Sequence, residues 1–274
     1  MNTPIKNLIL DMDGVLWHGE TPVPGLVDFF DTLRAAGIGF VLATNNATKT
    51  ADMYTERLAR FGVDVPARQI LTSAEASAVY LVERYEPGSP VYVCGAQGLH
   101  DAMLDQGFHV ITPAEAFTGA TAVAVVAGLS PGVTYHDLAA ACHLINQGTP
   151  FIGTNPDPTF PTEIGPLPGS GAILAAISVA TGVEPTIIGK PEPIIFHEAV
   201  ERLGGDASSV AMVGDRLSTD IYGAKAAGIR AILVLSGIST RAEAEAGPIQ
   251  PDYIFADITE LASFLTREMS VAKP

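Results

Sequence analysis

The chain has 274 residues, 47% of them hydrophobic and 16% charged, a balance that excludes a disordered protein and supplies enough apolar side chain for one or two packed domains. Thirty acidic residues against fifteen basic ones give a formal charge of −15. With no basic cluster to offset it, that charge repels polyanions, so no nucleic acid partner is expected. The longest continuous apolar segment, Ala122 to Leu129, falls far short of the roughly twenty residues of a membrane span, and no membrane partner is expected either. The opening segment Met1 to Lys6 lacks the features of a secretion signal, so a cytoplasmic location is expected. Cys94 and Cys142 are too few and too isolated for a disulfide scaffold and read as buried apolar thiols.

The first predicted strand, Leu8-Ile9-Leu10, runs into Asp11-Met12-Asp13-Gly14. In extended chain, residues i and i+2 project to one face, so Asp11 and Asp13 leave the strand's carboxyl end together, where open α/β sheets bind ligands. Two carboxylates that close need a divalent cation between them or a shared proton, and either reading makes a site for charge. A helix is expected over Pro24 to Ala36, with Leu26, Phe29, Phe30 and Leu33 at helical spacing and Gly37 as its stop. The next strand, Ile38 to Ala43, delivers Thr44-Asn45-Asn46, a hydroxyl and two amides, to the same sheet edge, and a helix over Thr50 to Phe61 follows.

Further along, strands at Val91 to Cys94 and Thr121 to Ala127, with helices after Ala96 and Thr134, read as a second small α/β core. Thr154-Asn155-Pro156-Asp157 reads as a proline-shaped turn or as a substrate-facing loop. Pro168-Gly169-Ser170-Gly171 lacks the lysine of a nucleotide-binding loop; a packing or hinge role is expected, ahead of a helix leading back to the first domain. Ile187-Ile188-Gly189-Lys190-Pro191 carries a lysine, and Val210 to Val213 ends in Gly214-Asp215-Arg216-Leu217-Ser218-Thr219-Asp220. Strands near Ile187, Val210, Ala231 and Tyr253 each precede a helical segment and are expected to complete the first sheet. The class is α/β with parallel sheets. Trp17, four residues past Asp13, reads either as a flap residue or as plain packing.

The ordered set DxDGV, TNN, GKPEP and GDRLSTD resembles the haloacid dehalogenase (HAD) superfamily of aspartate-nucleophile phosphohydrolases. The long stretch between Thr44 and Lys190, with Thr72-Ser73-Ala74, Val91 to Gly95, Gly153 to Asp157 and Pro168 to Ala172, is similar to the NagD and 4-nitrophenylphosphatase subgroup. The resemblance implies a Rossmann-like core with a parallel sheet, built from residues 1–77 and 183–274, and an inserted C2-type α/β cap over 78–182. Hinges are expected near Ser73 to Ala78 and Gly182 to Pro185.

It also implies roles for residues. Asp11 would be the nucleophile that takes up the phosphoryl group, and Asp13 the general acid and base. Thr44, Asn45 and Lys190 would bind phosphate oxygens, neutralising charge in a reaction that depends on positioning and electrostatics. Asp11, the backbone carbonyl of Asp13, and Asp215 would bind a metal; an all-oxygen, partly hydrated set suits Mg2+. Asp220 and Asn46 would support these groups, Asp220 by orienting Lys190 or a metal-bound water, or else it is an ordinary charge at a helix start. Asn155 and Asp157 would contact the leaving group.

The expected activity is a Mg-dependent phosphatase for small phosphomonoesters, among them sugar phosphates, nucleotide monophosphates, phosphoglycolate and nitrophenyl phosphate. Alternatives are a phosphotransferase or phosphomutase of the same superfamily, or a non-catalytic phosphometabolite-binding module. An early helical cap, as in mutases of the superfamily, is excluded because only about thirty residues separate Asp13 from Thr44. Caps of this size often support dimers in similar proteins, so a homodimer is kept open.

Overall fold

A computed structural model describes residues 4–162 and 164–271. The chain divides into two compact units, one of residues up to Thr44, Ala51–Leu71 and from Lys190 on, the other of Asn45–Thr50 and Thr72–Gly189.

The first unit is built on a six-stranded sheet in the order Tyr253–Phe255, Arg230–Val234, Val210–Gly214, Asn7–Leu10, Gly39–Thr44, Ile70–Thr72. The four pairings from Tyr253–Phe255 across to Gly39–Thr44 are parallel. Leu8, Ile9 and Leu10 have no exposed surface, as a strand covered on both faces requires. Helix Leu26–Ala35 buries Leu26, Phe29, Phe30 and Leu33 on one stripe. It begins at Leu26 rather than Pro24 because Gly25 takes a left-handed conformation (φ 75), and Gly37 (φ 66) ends it as expected.

The second unit has its own five-stranded parallel sheet, in the order Thr186–Ile187, Phe151–Gly153, Ala124–Ala127, Pro90–Cys94, His109–Ile111. Its core gathers Tyr92, Val125, Leu144, Phe151, Leu174 and Ile177. Helix Tyr135–Asn146 starts at a capping box, with Thr134 and Asp137 satisfying each other's backbone N–H groups.

Two expectations are corrected. The strand at Ile187 does not complete the first sheet: Thr186 and Ile187 pair with Ile152 and Gly153 in the second. Helix Ser170–Thr181 does not lead back to the first unit either, because Ile173, Leu174 and Ile177 pack into the second core. Apolar pattern specified both elements but not which sheet would bury them.

Candidate active site

Three neighbouring strands of the first unit deliver the central groups. Asp11 follows Asn7–Leu10, Thr44 ends Gly39–Thr44, and Asp215 follows Val210–Gly214. The ladder continues one residue past the first strand, where Asp11 N donates to Val213 O at 2.9 Å, so the backbone of Asp11 is fixed. The middle strand connects onward to one side and the later strands add on the other, which places the site at a reversal of strand order, the usual crevice for ligands in such sheets.

Lys190 closes the cluster. Its Nζ donates to Asp11 Oδ1 at 2.5 Å, to Asp220 Oδ1 at 2.7 Å and to Ala43 O at 3.3 Å. Asp11, Lys190, Asp215 and Asp220 are all buried, none more than 8% exposed. Burial alone would lower the affinity of Lys190 for its proton, but the carboxylates of Asp11 and Asp220 outweigh it and hold the ammonium above its ordinary range. Burial raises Asp11 well above the usual carboxylate value, with Asp220 and Asp215 adding repulsion and Lys190 opposing. Asp215 is raised for the same first reason, burial, and then by Asp220.

Carboxylate oxygens of Asp11, Asp215 and Asp220 lie within 4.8 Å of one another. Two of these three buried acids share the Lys190 ammonium, and three carboxyl groups stand close together around it. Hard oxygen donors carrying excess negative charge fit a divalent cation such as magnesium.

Asp215 is gripped by a segment that sequence reading passed over. Ile238 N donates to its Oδ2 at 2.8 Å and Ser239 N to its carbonyl at 3.0 Å, while Ser239 Oγ accepts from Leu217 N. A Cβ at Gly14 or Gly237 would overlap the Asp215 carboxylate, so glycine is required at both positions. The small residues Ser236 and Gly237, just past a buried strand, were the available signal.

Asp13 is exposed and belongs to a tight turn in which Gly14 N donates to Trp17 O at 2.8 Å. Trp17 Nε1 donates to Asp13 Oδ1 at 2.8 Å. The indole is fully buried, stacked against Tyr54 with the Arg57 guanidinium 4.3 Å from its ring centre.

The four amide and acid candidates Asn45, Asn46, Asn155 and Asp157 belong to the second unit. Asn155 is buried; its Nδ2 donates to Asn45 O at 2.7 Å, and its Oδ1 accepts from Asp157 N at 3.1 Å. Asn45 Nδ2 donates to Asp157 Oδ2 at 3.0 Å, and Ser73 Oγ to Asn45 O at 2.6 Å. Asn46 Oδ1 accepts from both the backbone and the hydroxyl of Thr48. Gly169 and Gly171 press on the Asp157 and Pro156 backbone, where no Cβ fits, in keeping with a packing role.

Cys94 is buried and Cys142 half-buried; burial pushes the Cys94 thiol up to about 12. Among the described residues no helix is long and apolar enough to cross a membrane.

Comparison with known proteins places this geometry. The family model for haloacid dehalogenase-like hydrolases matches residues 8–109, and a related HAD-hydrolase-like model matches 187–261. The acid sugar phosphatase of Staphylococcus aureus (strain USA300) is 41% identical over 262 residues, covering 96% of this chain and 98% of that protein. Among solved structures, NagD from E. coli K-12 matches with a TM-score of 0.86 at 33% identity, over 94% of this chain and 98% of that one. A glycerol phosphate phosphatase from Mycobacterium tuberculosis, in complex with magnesium, matches with a TM-score of 0.85 at 35% identity, over 95% of this chain and 78% of that one.

Proposed function

This chain belongs to the haloacid dehalogenase superfamily, in its NagD-like subfamily, and is a phosphoric monoester hydrolase; from that premise we propose that it cleaves small phosphomonoesters, sugar phosphates foremost, through an aspartyl-phosphate on Asp11 with magnesium as cofactor. The observation that carries the reading is the buried group in which Lys190 bonds both Asp11 and Asp220. The full-length similarity to an acid sugar phosphatase supports the substrate class. The magnesium in the mycobacterial relative supports the cofactor.

In this reading a carboxylate oxygen of Asp11 attacks phosphorus and the bond from phosphorus to the leaving oxygen breaks. Asp13 gives its proton to that oxygen. It then takes a proton from the water that attacks the phosphorus of the aspartyl-phosphate, and the bond to Asp11 breaks to release inorganic phosphate. Lys190 and Thr44 hold the phosphoryl oxygens, Lys190 by charge and Thr44 by its hydroxyl. Asp220 keeps Lys190 aimed at Asp11. Asp11, the carbonyl of Asp13 and Asp215 would hold the magnesium, which when bound neutralises charge on the phosphoryl group. The second unit is read as the cap of the subfamily, with Asn155 and Asp157 shaping its loop around Asn45.

The test is phosphate release from a panel of phosphomonoesters by purified protein, with magnesium, with excess chelator, and with Asp11→Asn. Turnover that needs magnesium and vanishes in Asp11→Asn is expected. Turnover that appears only when an organic acceptor is added would replace hydrolysis by phosphoryl transfer.

A further inference from the structure

We propose that Trp17 is a positioning residue for Asp13: its indole N–H holds Asp13 Oδ1 and leaves Oδ2 as the oxygen that exchanges a proton with the leaving group and with water. The proposal rests on the reading of Asp13 as general acid and base. An exposed aspartate ordinarily samples several rotamers, and Asp13 is exposed. A fully buried indole N–H, by contrast, must find an acceptor. Trp17 has no exposed surface, and its Nε1 meets Asp13 Oδ1 at 2.8 Å.

The indole in turn has little freedom. Tyr54 lies nearly parallel to it, at 13° with centroids 6.3 Å apart, and Phe61 flanks it at 6.0 Å. Arg57, itself buried, places its guanidinium 4.3 Å from the indole ring centre, a cation on a π face. Arg57 is tethered in its own right by the carbonyl of Gly19 and by Glu20 Oε1 at 3.6 Å. The backbone between Asp13 and Trp17 is fixed as well, since Leu16 N and Gly14 N each close the turn at 2.8 Å. Helix Ala51–Arg60 therefore reaches Asp13 through Trp17.

Protonation of the leaving oxygen matters for an alkyl ester, whose alkoxide is a poor leaving group, and little for 4-nitrophenyl phosphate, whose phenolate departs unaided. Trp17 is the only tryptophan, so growth of a tryptophan auxotroph on 3-benzothienylalanine replaces this one N–H by sulfur while keeping ring size and stacking. The readout is the ratio of kcat/KM for the best alkyl phosphate of the panel to kcat/KM for 4-nitrophenyl phosphate, in the substituted protein, in Trp17→Phe, and in Asp13→Asn. We expect the ratio to fall about ten-fold or more on loss of the N–H and further in Asp13→Asn, in line with the ~100-fold or greater worth of a positioned general acid. An unchanged ratio in the benzothienyl protein, or equal losses on both substrates, would overturn the proposal while leaving phosphatase activity itself in place. A ratio unmoved by Asp13→Asn would overturn the assignment of Asp13 and this proposal with it.

Discussion

Lys190 and Asp220 lie thirty residues apart in sequence and 2.7 Å apart in space, Nζ to Oδ1. The second oxygen of Asp220 accepts from Arg216 N at 3.1 Å, so one nearly inaccessible carboxylate fixes both the lysine and the loop that follows Asp215. Removing one partner of a buried charge pair costs about 3–5 kcal/mol. Asp220→Ala is expected to lose roughly 3 kcal/mol of stability and to lower kcat more than ten-fold; Asp220→Asn, which keeps the shape and one acceptor, should lose less of both. Urea unfolding curves and initial rates at saturating substrate check it; equal losses in the two variants would mean that charge alone carries the role of Asp220, and no loss in either would contradict that role.

The raised proton affinities of Asp11 and Asp215 set a pH dependence for the chelated protein. Above pH ~4 the unfolded chain has released these protons while the folded chain still holds them, so the unfolded state binds fewer protons and stability falls as pH rises. Magnesium should displace the protons and reverse that trend. The expected result is a melting temperature that declines from pH 4 toward neutrality in excess chelator, against a gain from magnesium that grows over the same range. A magnesium effect independent of pH would count against these two acids as its ligands.

Gly237→Ala sets a methyl group against the Asp215 carboxylate, whose Oδ2 is already committed to Ile238 N. Displacing groups that orient a metal ligand typically costs about 10- to 100-fold in affinity. Titration calorimetry with magnesium should show a weakening of that order, and excess magnesium should restore part of the turnover. Undiminished affinity would mean that Asp215 binds no metal.

Asn155 bridges two backbone groups from a buried position, Asn45 O and Asp157 N. Asn155→Ala leaves both without that partner, at a cost of about 2 kcal/mol, most of it from desolvated groups left unpaired. Thermal unfolding checks the magnitude. A loss of activity with the melting temperature unchanged would instead favour direct contact with the leaving group.

Much of the first unit was legible because its groups stand where strands end. Asp11, Thr44 and Asp215 each follow an apolar run, and a run of that kind names its own carboxyl edge. Lys190 was legible only through motif order, since it stands in a loop after Ile188-Gly189 rather than directly on a strand of the first sheet. Phe151–Gly153 and Ile70–Thr72 went unread as strands because three residues are too few to display a period. Ile187 was read as a strand and given to the wrong sheet, since apolar character does not specify a pairing partner. The bond from Asn155 to Asn45 spans 110 residues and leaves no local mark. Trp17 was open between flap and packing because its orientation is set by Tyr54 and Arg57, on a helix with its own period.

The strand that leads to Asp11, the proposed nucleophile, sits in the middle of its sheet, with Asn7 paired to Gly39 on one side and to Val210 on the other. A pairing of that sequence separation closes late, because the loop entropy is lost before the contacts form. During synthesis Asp11 is made 179 residues ahead of the lysine that bonds it, and its neighbour Asp215 follows later still. On the proposed reading, an unfinished or prematurely terminated polypeptide carries Asp11 without its reactivity, and turnover would report that the ribosome has passed the strand at Val210–Gly214.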